Sequence, residues 1–275
     1  MMVAERKAER EAGEFKMHVE LFGERFDTKV YLIKGVNPAF VNSLRRAILA
    51  YVPTLAIEEV DFYKNSSPMY NEVLAHRLGL LPLISDLDTY EIAPKDVDPR
   101  DFAKYHVTFK IHKKGPTVVK GSDVKFNDPK IKVAQPDMPI VTLLEGQELE
   151  ATGIAVLGTG KTHSKWSPAH VYYKNYPVIK IKKANTSKAQ EIAEVCPKKL
   201  FKVESSKLKL EEEKMYECSL CRACSEKFPE EISLEPKENE FLFSVESFGQ
   251  LPHKVILEKA SQVLSEQLTQ ISKLL

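Results

Sequence analysis

The chain has 275 residues, 43% of them hydrophobic, a soluble globular composition large enough for one large domain or two to three small ones. Forty Lys and Arg stand against 39 Asp and Glu, so the chain lacks the basic excess from which a dedicated duplex-DNA binder draws its affinity. The charged start MMVAERKAEREAGE has no apolar core to serve as a secretory signal, and the longest nearly apolar run, residues 47–57, is too short for a bilayer and contains Pro53; a cytoplasmic location without membrane contact is expected.

Residues 1–14 read as a mobile tail, because no apolar stripe would anchor them. Residues 15–35 read as two strands, FKMHVELF and KVYLIKG, with a turn at Gly23–Arg25. A helix over 38–51 follows. Asn37 is a good N-cap, Pro38 fits the first helical position, and Pro53 stops the helix. Phe40, Leu44, Ala47, Ile48 and Tyr51 form its apolar stripe, and Arg45 and Arg46 fall away from the stripe's centre. Residues 52–165 are a long insert of β-type runs, YHVTFKIH, TVVKG, PIVTLL and LEATGIAVLG, separated by Pro and Gly. Within it a short helix carries NEVLAHRLGLLPL and ends at Gly79.

A returning strand is expected within 166–183, then a charged segment, 184–238, that holds every cysteine, then the strand EFLFSVESFG. The last helix begins near Pro252. Ile256, Ala260, Val263, Leu264, Leu268, Ile271 and Leu275 line one face of it. Such a face packs inside its own domain or forms a dimer interface with the helix at 38–51; the pattern alone leaves both open.

The words FVNSLRRAILAYVPTLAIEEV and EVLAHRLGLLPL closely resemble the D-type subunit of archaeal DNA-directed RNA polymerase, which is related to the bacterial alpha subunit and to the third-largest subunit of eukaryotic polymerase II. The resemblance covers nearly the whole chain and implies an α+β fold. A discontinuous alpha-type dimerisation domain would be built from 15–51, 166–183 and 239–275. Into it would be inserted a mostly-β domain (52–165) and a ferredoxin-like iron–sulfur domain (184–238). The implied function is a non-catalytic assembly subunit of DNA-directed RNA polymerase. It would pair with a small alpha-like subunit as the platform for the large catalytic subunits, with little or no direct contact to nucleic acid. The residues implied at the partners are Phe40, Leu44, Arg45, Arg46, Ile48, Ile256, Leu264 and Leu268, the arginine pair lying near the large subunits.

The four cysteines, Cys196, Cys218, Cys221 and Cys224, lie within 29 residues. CSLCRAC has the C-x2-C-x2-C spacing of bacterial ferredoxins, whose fourth cysteine precedes a proline and ligates the other cluster. Here Phe228 stands at that fourth position, before Pro229. Conversely, Cys196 precedes Pro197, but Thr186, Ala189 and Ile192 stand where its own triplet would be. The pattern is that of a two-cluster domain reduced to one [4Fe–4S] cluster, with Cys196 as the fourth ligand. A zinc site is the alternative, although structural zinc usually takes two separated pairs; thiols without metal are another. The resemblance supports the cluster, since many archaeal members of that family carry such an insert, while others have lost it. Few apolar residues in 184–238 suggest a core, so loss of the cluster is expected to loosen this segment.

Two functional rivals follow from the cysteines, a ferredoxin-type electron carrier and a zinc-stabilised interaction module. Other signals carry less. GTGKTHSKW at 158–166 imitates a phosphate loop, but the motif needs a glycine where Ala155 stands. His76 lacks an orienting carboxylate and reads as a structural histidine. The aspartates at 86–101 lack the order of a calcium loop.

Overall fold

The computed structural model describes residues 17–205 and 207–274; the segment expected to be a mobile tail lies outside them. The elements in chain order are β1 (His18–Arg25), β2 (Thr28–Lys34), α1 (Pro38–Tyr51), β3 (Pro53–Asn65), α2 (Asn71–Gly79), β4 (His106–Lys114), β5 (Thr117–Lys120), β6 (Lys125–Phe126), β7 (Pro139–Leu143), β8 (Glu148–Thr159), β9 (Ala169–Ile181), α3 (Ala189–Val195), β10 (Phe201–Glu204), β11 (Lys207–Leu210), α4 (Ala223–Lys227), β12 (Ile232–Ser247) and α5 (His253–Leu274). They divide into two compact units. The first holds residues 17–24, 29–41 and 173–244, the second 25–28, 42–172 and 245–274.

The first unit is built on a four-stranded sheet of order β1-β2-β12-β9. The turn between β1 and β2 lies at Phe26–Asp27, not at Gly23–Arg25, and Phe26 takes the left-handed conformation with φ 52°. Gly23 is inside β1 for another reason. A Cβ there would lie 2.7 Å from the Tyr216 ring, so the missing side chain is what lets Tyr216 pack against the strand. Tyr216 packs with Val30, Leu32, Leu242, Phe22 and Tyr176.

The same unit carries a second core that the sequence pattern conceals. Ala189, Ile192, Leu200, Phe201, Leu208, Phe228, Ile232 and Leu234 are buried together with Cys196, Cys218 and Cys224. Ile179 and Ile181 of β9 pack against them. The antiparallel hairpin β10–β11, with Phe201 opposite Leu210 and Val203 opposite Leu208, closes one side. The expectation that this segment lacks a core is therefore corrected. Each large apolar side chain buried there contributes about 1.5–3 kcal/mol.

The second unit contains two antiparallel sheets, β3-β8-β4-β6 and β5-β7, over one large apolar core. Leu74 and Leu78 of α2 are fully buried in that core, while His76 is exposed on the same helix, a surface residue and not a structural one. The β3–β8 register shifts between Ile57 and Glu59. Lys165 anchors this bulge, donating to the Ile57 carbonyl at 2.9 Å and pairing with Glu58.

The GTGK segment is a packing device. A Cβ on Gly158 would strike the Trp166 ring at 2.4 Å, and one on Gly160 would meet the Leu49 carbonyl oxygen at 1.9 Å. Trp166 is buried against Ala56, Ile154 and Val156. Because the obstacle at Gly160 is backbone, Gly160→Ala is expected to destabilise the chain by about 2 kcal/mol or more, read as a lowered thermal midpoint.

In α1 the Asn37 carboxamide oxygen accepts the Phe40 N–H at 2.8 Å, the cap that the sequence calls for. The buried stripe is Val41, Leu44, Ala47 and Ile48. Phe40 is exposed and Tyr51 half-buried, so both lie at the stripe's rim. In α5 only Ile256 and Ala260 are buried. No helix among the described residues is long and apolar enough to cross a membrane.

Asp86, at the head of the aspartate stretch, is a folding residue. Its carboxylate accepts from the Lys130 ammonium at 3.0 Å, the Thr89 hydroxyl at 2.8 Å and the N–H groups of Asp88 and Thr89. Lys130 above all, with Thr89, holds its pKa at about 2, below the ordinary 3.8. A depressed carboxylate stabilises the fold above its unfolded pKa and loses that contribution as pH falls through the folded value. Asp86→Asn should therefore lower the denaturation midpoint at pH 6, by an amount that shrinks as the pH falls towards 2.

Candidate functional site

The four cysteines are carried on three short elements of the first unit. Helix α3 ends at Cys196, which is its C-cap. A 3-10 turn over Glu212–Glu217 leads into Cys218, whose N–H bonds to the Met215 carbonyl at 3.1 Å. Between the cysteines of the triplet, Leu220 and Arg222 adopt left-handed conformations with φ 55° and 60°. Such conformations cost on the order of 1–3 kcal/mol each for residues with a side chain, and they gather at ligand clamps. They turn the chain so that Cys218, Cys221 and Cys224, the last on α4, face one centre. Cys196, Cys218 and Cys224 are buried, Cys221 is exposed, and all four line one small cavity with Ile179, Leu200, Phe201 and Leu234.

Burial raises the Cys218 thiol pKa, and Cys196 and Cys221 add to the rise, while the Leu220 N–H and the Lys174 cation oppose it. Burial likewise raises Cys224, with Cys196, Cys218 and Cys221 contributing. Cys218 and Cys224 thus each lie within electrostatic reach of Cys196 and Cys221. Buried thiols raised in this way are poor nucleophiles; a bound metal reverses the balance and takes them as thiolates. Among the described residues, His112, Glu148 and Glu150 also bring three ligand atoms within 4.8 Å of one another.

The His112 group is an ion-pair network. Glu148 accepts from Lys64 at 2.6 Å and from His112 at 2.9 Å, and Lys114 lies 3.6 Å away. Lys64 and His112 hold the Glu148 pKa at about 2. Two ammonium groups at one carboxylate already satisfy it.

The residues expected at partner surfaces divide sharply. Leu44, Ile48 and Ile256 are 7%, 0% and 0% exposed and belong to the chain's own interior. Phe40 and Arg46 are exposed, Leu264 is half-buried, and Leu268 is 66% exposed. Arg45 is half-buried and donates twice to Asn42 on its own helix, at 3.2 and 2.9 Å. Ile271, 55% exposed, extends the Leu264–Leu268 face, as its three- to four-residue stepping implies, and Leu274 beside it is 87% exposed; Leu275, the last residue of the expected stripe, lies outside the described residues.

Residues 60–178 match the family model for the RNA polymerase Rpb3/RpoA insert domain. The DNA-directed RNA polymerase subunit Rpo3 of Methanosphaera stadtmanae is 36% identical over 91% of this chain and 96% of its own length. The Rpo3 of Pyrococcus furiosus is 34% identical over 91% and 97%, and that of Methanosarcina acetivorans 38% over 85% and 89%. Matches of this extent run through both units and through the cysteine segment. The chain therefore belongs to the family of DNA-directed RNA polymerase subunit Rpo3.

Proposed function

We propose that this chain, a non-catalytic subunit of DNA-directed RNA polymerase, pairs with a small alpha-like subunit through the outer half of α5. The pair is the platform on which the large catalytic subunits assemble. The observation that carries this is the change in exposure along α5. Ile256 and Ala260 are fully buried, whereas Leu268, Ile271 and Leu274 on the following turns stand in solvent. An apolar helix face that leaves its own domain calls for a cover, and a second alpha-like chain offers a matching face.

In the same reading the cysteine segment is a ferredoxin-like domain that holds one [4Fe–4S] cluster. Four thiols around one cavity, three of them in a C-x2-C-x2-C run, fit that group. Ala189, Ile192 and Phe228, at three of the ligand positions of a vanished second cluster, are buried in the apolar core. The cluster supplies a four-point cross-link between α3 and the 218–224 loop; a structural role follows, because so much of the chain lies outside it.

Reconstitution from purified subunits tests the platform. Arg45→Ala with Arg46→Ala should form a normal heterodimer that fails to recruit the large subunits. Most of the effect should reside in Arg46, since Arg45 is engaged by Asn42. Full assembly of active polymerase by the double variant would make both arginines ordinary surface charges.

A further inference from the structure

The cysteine loop is gripped by the sheet of the first unit at two points that ligation does not require. Lys174, half-buried on β9, donates its ammonium protons to the carbonyl oxygens of Tyr216 at 2.6 Å and Cys218 at 2.5 Å. Both bonds are charge-assisted and so about twice as strong as neutral ones. An ammonium is expensive to bury unless its donors are used, and here two are spent on the backbone immediately around the first ligand of the triplet. The second grip is the Tyr216 ring. It lies on β1 at Gly23, where no side chain intervenes, and packs with Val30, Leu32 and Leu242. Residues 216–218 are thus fixed to β9 through their carbonyls and to β1 and β2 through a side chain. Cys221, by contrast, is exposed.

We propose that Lys174 is a positioning residue which, with Tyr216 seated on Gly23, holds Cys218 in its ligating position on the four-stranded sheet before any cluster is present. The consequence is mechanical. The sheet and the first cysteine of the triplet move as one body, so cluster assembly starts from a prepared ligand and not from a free loop. This inference rests on the reading that the four cysteines hold a [4Fe–4S] cluster, but its first test does not need the cluster.

The test uses the whole chain with Lys174→Met, which keeps the length and removes the donors, and Lys174→Arg, which keeps a cation. In metal-free protein, timed alkylation with mass spectrometry should find Cys218 modified about tenfold faster in the Met variant, with Cys196 and Cys224 unchanged. In anaerobically loaded protein, the cluster absorbance should decay about tenfold faster under chelator, the scale found for outer partners of metal ligands. Lys174→Arg should recover most of both. Gly23→Ala, whose Cβ displaces the Tyr216 ring, should reproduce the selective rise at Cys218 with every Lys174 donor intact. Equal acceleration at all four cysteines, or a wild-type rate at Cys218 in both the Met and the Gly23 variants, would overturn the inference. Wild-type protein that takes up no iron would instead overturn the cluster reading, and the alkylation result would still decide the role of Lys174.

Discussion

Leu268→Asp combined with Ile271→Asp is expected to leave the chain folded and to abolish its complex with the small alpha-like subunit. Both side chains are more than half exposed, so a carboxylate at either costs the isolated chain little. In a paired helix face the same carboxylates would be buried without partners, a penalty of several kcal/mol per charge. Circular dichroism should find an unchanged melting curve, and a sizing column should find no heterodimer. The contrast is Ile48→Asp. Ile48 is fully buried inside the chain, so this change should cost more than about 4 kcal/mol of folding stability and remove binding only by removing the fold. A heterodimer that survives the α5 double variant would contradict the interface.

Cys196→Ser should damage the cluster as severely as Cys221→Ser, although Cys196 is the buried, sequence-distant member and Cys221 the exposed one. Equivalence follows only if Cys196 supplies the fourth thiolate. Iron and visible absorbance should fall to near background in both. Folding should survive in both, because Ile192, Leu200, Phe201, Leu208, Phe228, Ile232 and Leu234 form a core around the site. An intact cluster in the Cys196 variant, or collapse of the segment with loss of iron, would contradict this account.

Much of the fold was legible because its signals are local. The Asn37 cap, the proline stops and the stepping of α5 each operate within a few residues. The β runs of the insert likewise form β4, β5, β7 and β8. What escaped is non-local. Gly23 resembles a turn residue, and its reason lies in Tyr216, nearly two hundred residues away along the chain. The cysteine segment reads as coreless because its apolar residues are spaced singly among Lys and Glu; the β10–β11 hairpin and β9 gather them. An apolar stripe on a helix likewise does not say which part is covered by its own chain. Leu44, Ile48 and Ile256 turned inward, while Leu268 and Ile271 turned outward. The four-thiol constellation was fully legible, but Lys174, 44 residues from Cys218, gave no sign in its strand.

The most direct measurement is anaerobic isolation of the chain from its native host, with identification of every co-purifying protein and metal analysis. The account predicts two very large subunits and one small partner in stoichiometric amounts, with about four irons per chain. Recovery of the chain alone or with a redox partner would contradict its role as a polymerase platform, and stoichiometric zinc without iron would contradict the cluster.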